Sequence, residues 1–269
     1  MRQMAAMAMA AVALYAQVPA QDSRNTDIPN TDTHFTPRAY RTLAEEGVID
    51  AYGHVSIRSP DSPKRYLMAR QLAPELVTEA DILEFDLESN PVDPRGRKFY
   101  NERYIHGEIY KARPEVMAVV HNHAPAVVPF SCTSRATLKP IFHMSAFIGL
   151  GVPNWDIREA QKGSDMLVRN PHLGQSLAKK LGKYPAVLMR GHGATCVGEN
   201  LPRAVGRSVY LELNARMQFQ ALMLAGARGR IVFMDASEVT ANVSWQNYDR
   251  SWNLWRTRAL AKLKSEARS

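Results

Sequence analysis

The 269-residue sequence has only two cysteines, Cys132 and Cys196. Two thiols allow at most one disulfide and are equally compatible with two small buried side chains, which is the interpretation we favour. The N-terminal apolar run, residues 4–16, is shorter than the roughly 20 residues that a membrane-spanning helix needs. Because this run is short, we expect no stable membrane insertion. No internal repeat follows the run, which excludes a repeat architecture.

Negative charge is the scarcer sign in this chain. The chain has 34 Lys and Arg against 26 Asp and Glu, a formal net charge of +8. The basic residues are scattered and do not form a stripe interleaved with aromatic residues, so we expect no nucleic-acid binding. With 45% hydrophobic and 22% charged residues, the composition is typical of a globular protein with one large domain.

The first twenty residues differ from the rest of the chain. Arg2 precedes the apolar run, and Val18, Pro19 and Ala20 place small residues where an export peptidase cleaves. This pattern predicts a signal peptide over 1–20, a flexible polar leader over 21–34 and a folded domain over 35–269. We expect export to the periplasm or beyond, and the alternative is a cytoplasmic protein whose N-terminus is disordered or whose start is assigned too early.

The folded part alternates short apolar runs with amphipathic segments. A helix is predicted over 37–46, ending at Gly47, and a long amphipathic helix over 201–224. Strands are predicted over residues 51–58, 66–69, 82–86, 117–123, 186–189 and 194–197. Strands placed between helices predict an α/β fold.

Three histidines form the most informative pattern in the chain. His121 and His123 lie two apart on a predicted strand, so both side chains point to the same face. His192 lies between Gly191 and Gly193, and such a glycine pair lets the backbone turn and approach another element closely. Three His ligands with one open position are typical of a catalytic metal site.

Glu102 precedes a segment with helical spacing of apolar residues at Ile105 and Ile109. His106 then lies one turn after Glu102 on the same face. A carboxylate near a helix N-terminus is stabilised by the helix dipole, whereas burial raises its pKa, so its proton affinity is tunable. For His106 we favour a supporting role behind the metal ligands over ligation.

These motifs resemble the class II aldolase/adducin family. The resemblance runs from about residue 35 to 237 and rests on ordered blocks: Glu102 with His106 four residues later, Ile109-Tyr110, Arg113-Pro114-Glu115-Val116, Val120-His121-Asn122-His123, and Met189-Arg190-Gly191-His192-Gly193 followed by Gly198. It implies a three-layer α/β/α sandwich with a mostly antiparallel central sheet. It also implies that His121, His123 and His192 bind one divalent metal ion, that Glu102 is the catalytic acid/base, and that the chain forms homotetramers.

The predicted substrate pocket departs from the phosphosugar branch of that family. Its phosphate-binding hydroxyls are replaced here by Gly53-His54-Val55-Ser56, by Met68-Ala69-Arg70-Gln71, and by Tyr100-Asn101 before Glu102. A phosphate needs several donors at once, so their loss argues against a sugar phosphate. Arg70 offers a fork for a carboxylate, with a surface ion pair as the equal alternative. For Arg58 we favour the surface ion pair.

The substitutions are closer to the branch that decarboxylates hydroxylated aromatic or pyridine dicarboxylates. We therefore predict a divalent-metal-dependent C–C lyase acting on a small, non-phosphorylated carboxylated substrate, by aldol cleavage or decarboxylation through a metal-stabilised enolate. His54, Ser56, Arg70 and Asn101 are the candidate substrate-binding residues, and for His54 the alternative is a structural polar role in its loop. Zinc is the favoured metal, with manganese, cobalt or iron as alternatives. The competing hypotheses are a non-catalytic adducin-like assembly domain and a sugar epimerase.

Overall fold

The computed structural model describes residues 35–227 and 229–266. The predicted signal peptide (1–20) and leader (21–34) lie outside the described residues. Among the helices within these ranges, none combines the length and the apolar composition needed to cross a membrane.

Seven strands form one sheet in the order β3-β2-β1-β4-β7-β6-β5. The strands are β1 His54–Arg58, β2 Arg65–Ala69, β3 Ile82–Asp86, β4 Ala118–Asn122, β5 Asn154–Trp155, β6 Ala186–Met189 and β7 Gly193–Gly198. Every neighbouring pair is antiparallel except β5 and β6. The expectation of a mostly antiparallel sheet is confirmed.

The helices are α1 Phe35–Glu45, α2 Arg103–Ala112, α3 Val127–Cys132, α4 Pro171–Leu181, α5 Leu201–Ala225, α6 Ala236–Val243 and α7 Asp249–Glu266. Short 3-10 turns occupy Pro74–Leu76, Glu79–Asp81, His143–Leu150 and Ile157–Glu159. Helices α2 and α4 pack against each other, and α5 packs on β4 and β7.

Side-chain alternation along β7 shows that α2 and α5 cover opposite faces of the sheet. Thr195 faces His121 of β4, with 3.4 Å between its Oγ1 and the Nδ1 of His121. Cys196 points to the other face, where it contacts Ser208 of α5. His106 of α2 lies over the first face, because it contacts Ser56, whose partner in the register is a residue of β4 on the face of His121. The chain is a three-layer α/β/α sandwich, as predicted.

The bounds of the predicted strands lie within one residue of the observed ones except at the start of β1, and that shift has a local cause. Strand β1 begins at His54 instead of residue 51, because Gly53 has φ +98°, a conformation that interrupts extended backbone. A Cβ at Gly53 would lie 2.7 Å from the Ile49 side chain. This turn brings the chain into β1 next to β4.

Two sequence-based interpretations are wrong. Both cysteines are free, but only Cys196 is buried; Cys132 is exposed because it ends helix α3 at the surface. Arg58 is buried rather than part of a surface ion pair. Its guanidinium donates to the main-chain carbonyls of Pro63, Tyr110, Arg113 and Val116. Two of these lie at the C-terminal end of α2, where carbonyls have no partner within the helix, so Arg58 anchors α2 to the sheet.

Candidate metal centre

Four side chains from separate parts of the fold converge at one end of the sheet. Glu102 immediately precedes α2, His121 lies in β4, His123 follows the end of β4, and His192 lies in the turn between β6 and β7. Each offers one ligand atom, and these atoms all lie within 4.8 Å of one another. The structure therefore brings together all four residues that the sequence predicts for the metal and the acid/base. We call them the metal cluster.

The turn that carries His192 needs its flanking glycines. Gly191 has φ +64°, and a Cβ on Gly193 would overlap the carbonyl group of Asn122 in β4. A side chain at Gly193 would push β7 away from β4 and move His192 away from His121. The close approach expected from the glycine pair is present.

The inward-facing atoms of the cluster are the Nε2 atoms of the histidines and Oε2 of Glu102. Oε2 lies 3.6 Å from Nε2 of His121 and 3.5 Å from Nε2 of His192. Nε2 of His192 lies 3.1 Å from Nε2 of His123. Nε2 of His121 is buried and has no hydrogen-bond partner among the described residues. Since an unpaired buried nitrogen is costly, this atom fits a site whose missing partner is a cation.

Contacts behind the cluster set the orientation of its members. The main-chain carbonyl of Met166 can only accept, so Nδ1 of His192, 3.0 Å away, carries the proton and its Nε2 keeps a free lone pair. The Val168 N–H donates to Oε1 of Glu102 over 2.9 Å, which leaves Oε2 facing the histidines. The sequence analysis did not identify Met166 and Val168, because both act through main-chain atoms.

Burial and mutual proximity favour the neutral form of His121 and His123, whereas His192 differs. Burial lowers the pKa of His121 well below its usual value, and the neighbouring histidines lower it further. The pKa of His123 is lowered by burial and by His192. Burial also opposes charge on His192, but the Glu102 carboxylate outweighs it and raises the pKa of His192. Neutral His121 and His123 each offer a lone pair to a metal ion.

The other predicted site residues divide into a buried group and a peripheral group. His54 of β1 is paired in register with His121, and their ring centroids lie 4.9 Å apart. Ser56 is fully buried and contacts His106 and Tyr110. His106 lies outside the metal cluster and hydrogen bonds to His54 and Ser56, the position of a supporting residue.

Arg70 and Asn101 lie at the periphery. Nε of Arg70 forms an ion pair with Asp81 at 2.6 Å, so the ion-pair alternative for this residue is present. Its guanidinium side chain remains 35% exposed. Asn101 is exposed next to Glu102.

Two tyrosines that were not among the predicted site residues flank the histidines. Tyr52 is 68% exposed, and its ring centroid lies 6.3 Å from that of His123. Tyr100 is largely buried, and its ring centroid lies 4.9 Å from that of His54. Their positions just before Gly53-His54 and just before Glu102 were the available signal. They give the site an aromatic border.

A three-layer α/β/α fold with a Glu and three His at one end of its sheet defines a candidate metal-binding α/β domain. Residues 36–219 match the family described as Class II Aldolase and Adducin N-terminal domain. The chain belongs to this family.

Curated relatives and solved structures agree with this assignment. The chain is 38% identical over 235 residues to decarboxylase tropJ of Talaromyces stipitatus, covering 79% of this chain and 88% of the relative. It is 30% identical to a 3,4-dihydroxyphthalate decarboxylase of Arthrobacter keyseri, covering 75% and 83%. Its fold is similar to an L-fuculose 1-phosphate aldolase from Glaciozyma antarctica, with a TM-score of 0.68 at 23% identity, covering 87% and 90%.

Proposed function

We propose that the chain is a divalent-metal-dependent lyase that decarboxylates a small hydroxylated aromatic carboxylate. The observation that carries the proposal is the metal cluster, in which three histidine Nε2 atoms and Oε2 of Glu102 face one point. The relatives named decarboxylases favour loss of carbon dioxide over aldol cleavage. The aromatic border of Tyr52 and Tyr100 suits a planar substrate ring.

His121, His123 and His192 would hold the ion, with Glu102 beside it. When bound, a divalent ion would supply electrostatic stabilisation of negative charge on the substrate oxygens. We assign Glu102 as the group that delivers the proton: Oε1 accepts the Val168 N–H, so Oε2 is the oxygen that faces the site and would carry the proton during the reaction. As the bond to the carboxylate breaks, its electron pair stays on the ring carbon, carbon dioxide leaves, and the proton at Oε2 transfers to that carbon.

The test is a substrate panel with two separate product assays. Hydroxylated phthalates and benzoates are compared with non-phosphorylated hydroxy-keto acids on protein loaded with zinc or manganese, measuring carbon dioxide and aldehyde. Carbon dioxide release from an aromatic acid is expected. In Glu102→Gln, turnover should fall about 10²- to 10⁴-fold while metal content is unchanged. Aldehyde without carbon dioxide would instead support the aldolase form, and equal turnover in Glu102→Gln would contradict its assigned role.

We also propose that the chain assembles with copies of itself. Apolar side chains at the end of α5 are exposed, namely Phe219, Leu222, Met223 and Leu224. Several exposed large apolar side chains close together in the sequence of one helix favour an interface at this helix end. The tetramer, the preference for zinc, and export from the cytoplasm stay predictions.

A further inference from the structure

Four buried side chains form a continuous hydrogen-bonded chain beside the metal cluster. Nδ1 of His54 lies 2.6 Å from Nε2 of His106, Nδ1 of His106 lies 2.6 Å from Oγ of Ser56, and Oγ of Ser56 lies 2.8 Å from the Tyr110 hydroxyl. These hydrogen bonds link β1 to α2, and we call the four side chains the buried relay. The relay ends at His54, whose ring lies 4.9 Å from that of His121.

Proton accounting gives the relay a direction. If Tyr110 donates to Ser56, then Ser56 donates to His106, and Nε2–H of His106 donates to Nδ1 of His54. In the reverse direction the phenol proton of Tyr110 finds no acceptor among the described residues, because Ser56, which hydrogen bonds to the phenol, is then itself the donor. A fully buried donor without an acceptor is costly, so the first direction is favoured: the donor that it leaves free, Nε2–H of His54, is not among the fully buried side-chain atoms that lack a partner.

His106 is neutral at neutral pH, because burial lowers its pKa to about 3. Its ring therefore carries one proton, and since its Nδ1 accepts from Ser56, that proton is on Nε2. Nδ1 of His54 accepts it, and an imidazole nitrogen that accepts leaves the ring proton on the other nitrogen.

In this arrangement the proton of His54 is on Nε2. The two nitrogens of an imidazole diverge, so Nε2 points away from His106, and no described residue hydrogen bonds to it. The ring lies on the face of the sheet that carries His121, with Tyr100 at 4.9 Å on another side. His54 is thus the opposite of the cluster histidines: it presents a donor where they present lone pairs.

We propose that the buried relay fixes His54 as an Nε2–H donor to an anionic oxygen of the substrate, with His106, Ser56 and Tyr110 as positioning residues. The substrate part rests on the proposed function. A ring nitrogen that carries a proton cannot bind a metal, so this assignment also excludes Nε2 of His54 as a fourth histidine ligand. A donor of this kind stabilises charge that develops on the substrate oxygen.

The first test reads the tautomers directly and needs no substrate. Protein labelled with ¹⁵N at histidine is examined by NMR without metal and with zinc, and the signals are assigned with His54→Gln and His106→Gln. We expect both rings to carry the proton on Nε2 and to have a bare Nδ1. Tyr110→Phe removes the hydroxyl that would lack an acceptor in the reverse direction. The His54 signals of this variant should therefore shift towards a mixture of the two tautomers. A proton on Nδ1 of His54 in the wild type would overturn the proposal.

The second test separates donation from packing. A glutamine amide reaches about as far as Nε2 of histidine, whereas an asparagine amide reaches only as far as Nδ1. We expect His54→Asn to lower kcat about 10²- to 10³-fold and His54→Gln to stay within about tenfold of the wild type, with metal content unchanged in both. Equal losses in the two variants, or loss of metal, would contradict a donor role. If no acid is decarboxylated by the wild type, the proposed function fails, and the NMR result still decides the tautomer.

Discussion

Two groups of histidines lie side by side on one face of the sheet, and they differ in the partners of their nitrogens. In the metal cluster, Nε2 of His121 is buried without a hydrogen-bond partner among the described residues. In the buried relay, both nitrogens of His106 have partners at 2.6 Å. Burial is the same, since His106 and His121 are both fully buried. The difference shows that the hydrogen-bond partners of its nitrogens, and not burial, distinguish the candidate ligand His121 from the supporting residue His106.

The same comparison explains why the two groups do not exchange roles. A ligand needs a free lone pair, and the relay uses its lone pairs to accept protons. The cluster uses its outer nitrogens for orientation, as in the contact of His192 with the Met166 carbonyl, and keeps the inner ones free. One group is therefore suited to binding a cation, and the other is suited to fixing a donor.

The largest expected effect comes from removing a cluster ligand. His121→Ala should lose at least about 100-fold in affinity for zinc, because one of three nitrogen ligands is deleted. Zinc affinity is measured by competition with a chromophoric chelator. His172→Ala, at an exposed histidine in α4, is the matched control and should bind zinc as the wild type does.

His106 provides the test of whether the two groups of histidines are distinct. Since this residue is assigned to the relay, His106→Gln should retain zinc within a few-fold of the wild type. Should it lose as much zinc affinity as His121→Ala, the two groups would be one site, and the distinction drawn from partner accounting would be wrong.

A smaller effect is expected from the contact behind His121. Thr195→Val removes the hydroxyl that lies 3.4 Å from Nδ1 of His121 while keeping the volume. Loss of such an outer contact costs about 10- to 100-fold in metal affinity. Ser208→Ala removes a buried hydroxyl on the opposite face and should leave affinity unchanged. An unaltered affinity in Thr195→Val would show that the contact does not orient the ligand.

The metal cluster could be predicted because the spacing of its residues along the sequence indicates their role. His121 and His123 share a face of any strand, and His192 is marked by its glycines. The relay was not, because its contacts join residues about 50 positions apart. The sequence analysis identified His54, Ser56 and His106 as separate candidate site residues. Tyr110 has the pattern of an ordinary core residue, and only the packing of α2 on β1 shows its contact with Ser56. Met166 and Val168 act through the main chain, which leaves no side-chain signal.

The fold shows the same limit. Strands with their own apolar pattern, such as β3 and β6, were predicted with the observed bounds. Strand β5 has two residues and exists only through its pairing with β6, so its own sequence does not define it. Helix α4 was not predicted although Asn170 caps it and a proline follows at its first position, which is a readable start signal.

The smallest expected effect concerns pH and tests the neutrality of the relay. Burial lowers the pKa of His106 from 6.5 to about 3 in the folded protein, so between these values the unfolded chain binds a proton that the folded chain does not. The contribution of neutral His106 to the free energy of unfolding should therefore be fully present above about pH 6.5. Below that pH it should fall as the pH falls, by up to about 1.4 kcal/mol per pH unit. His106→Gln should lack that component. Urea unfolding of the metal-free protein at several pH values between 7.5 and 5 measures both slopes. Parallel slopes would mean that His106 takes up a proton while folded; both its nitrogens would then be donors, and the relay would lose the direction that distinguishes it from the metal cluster.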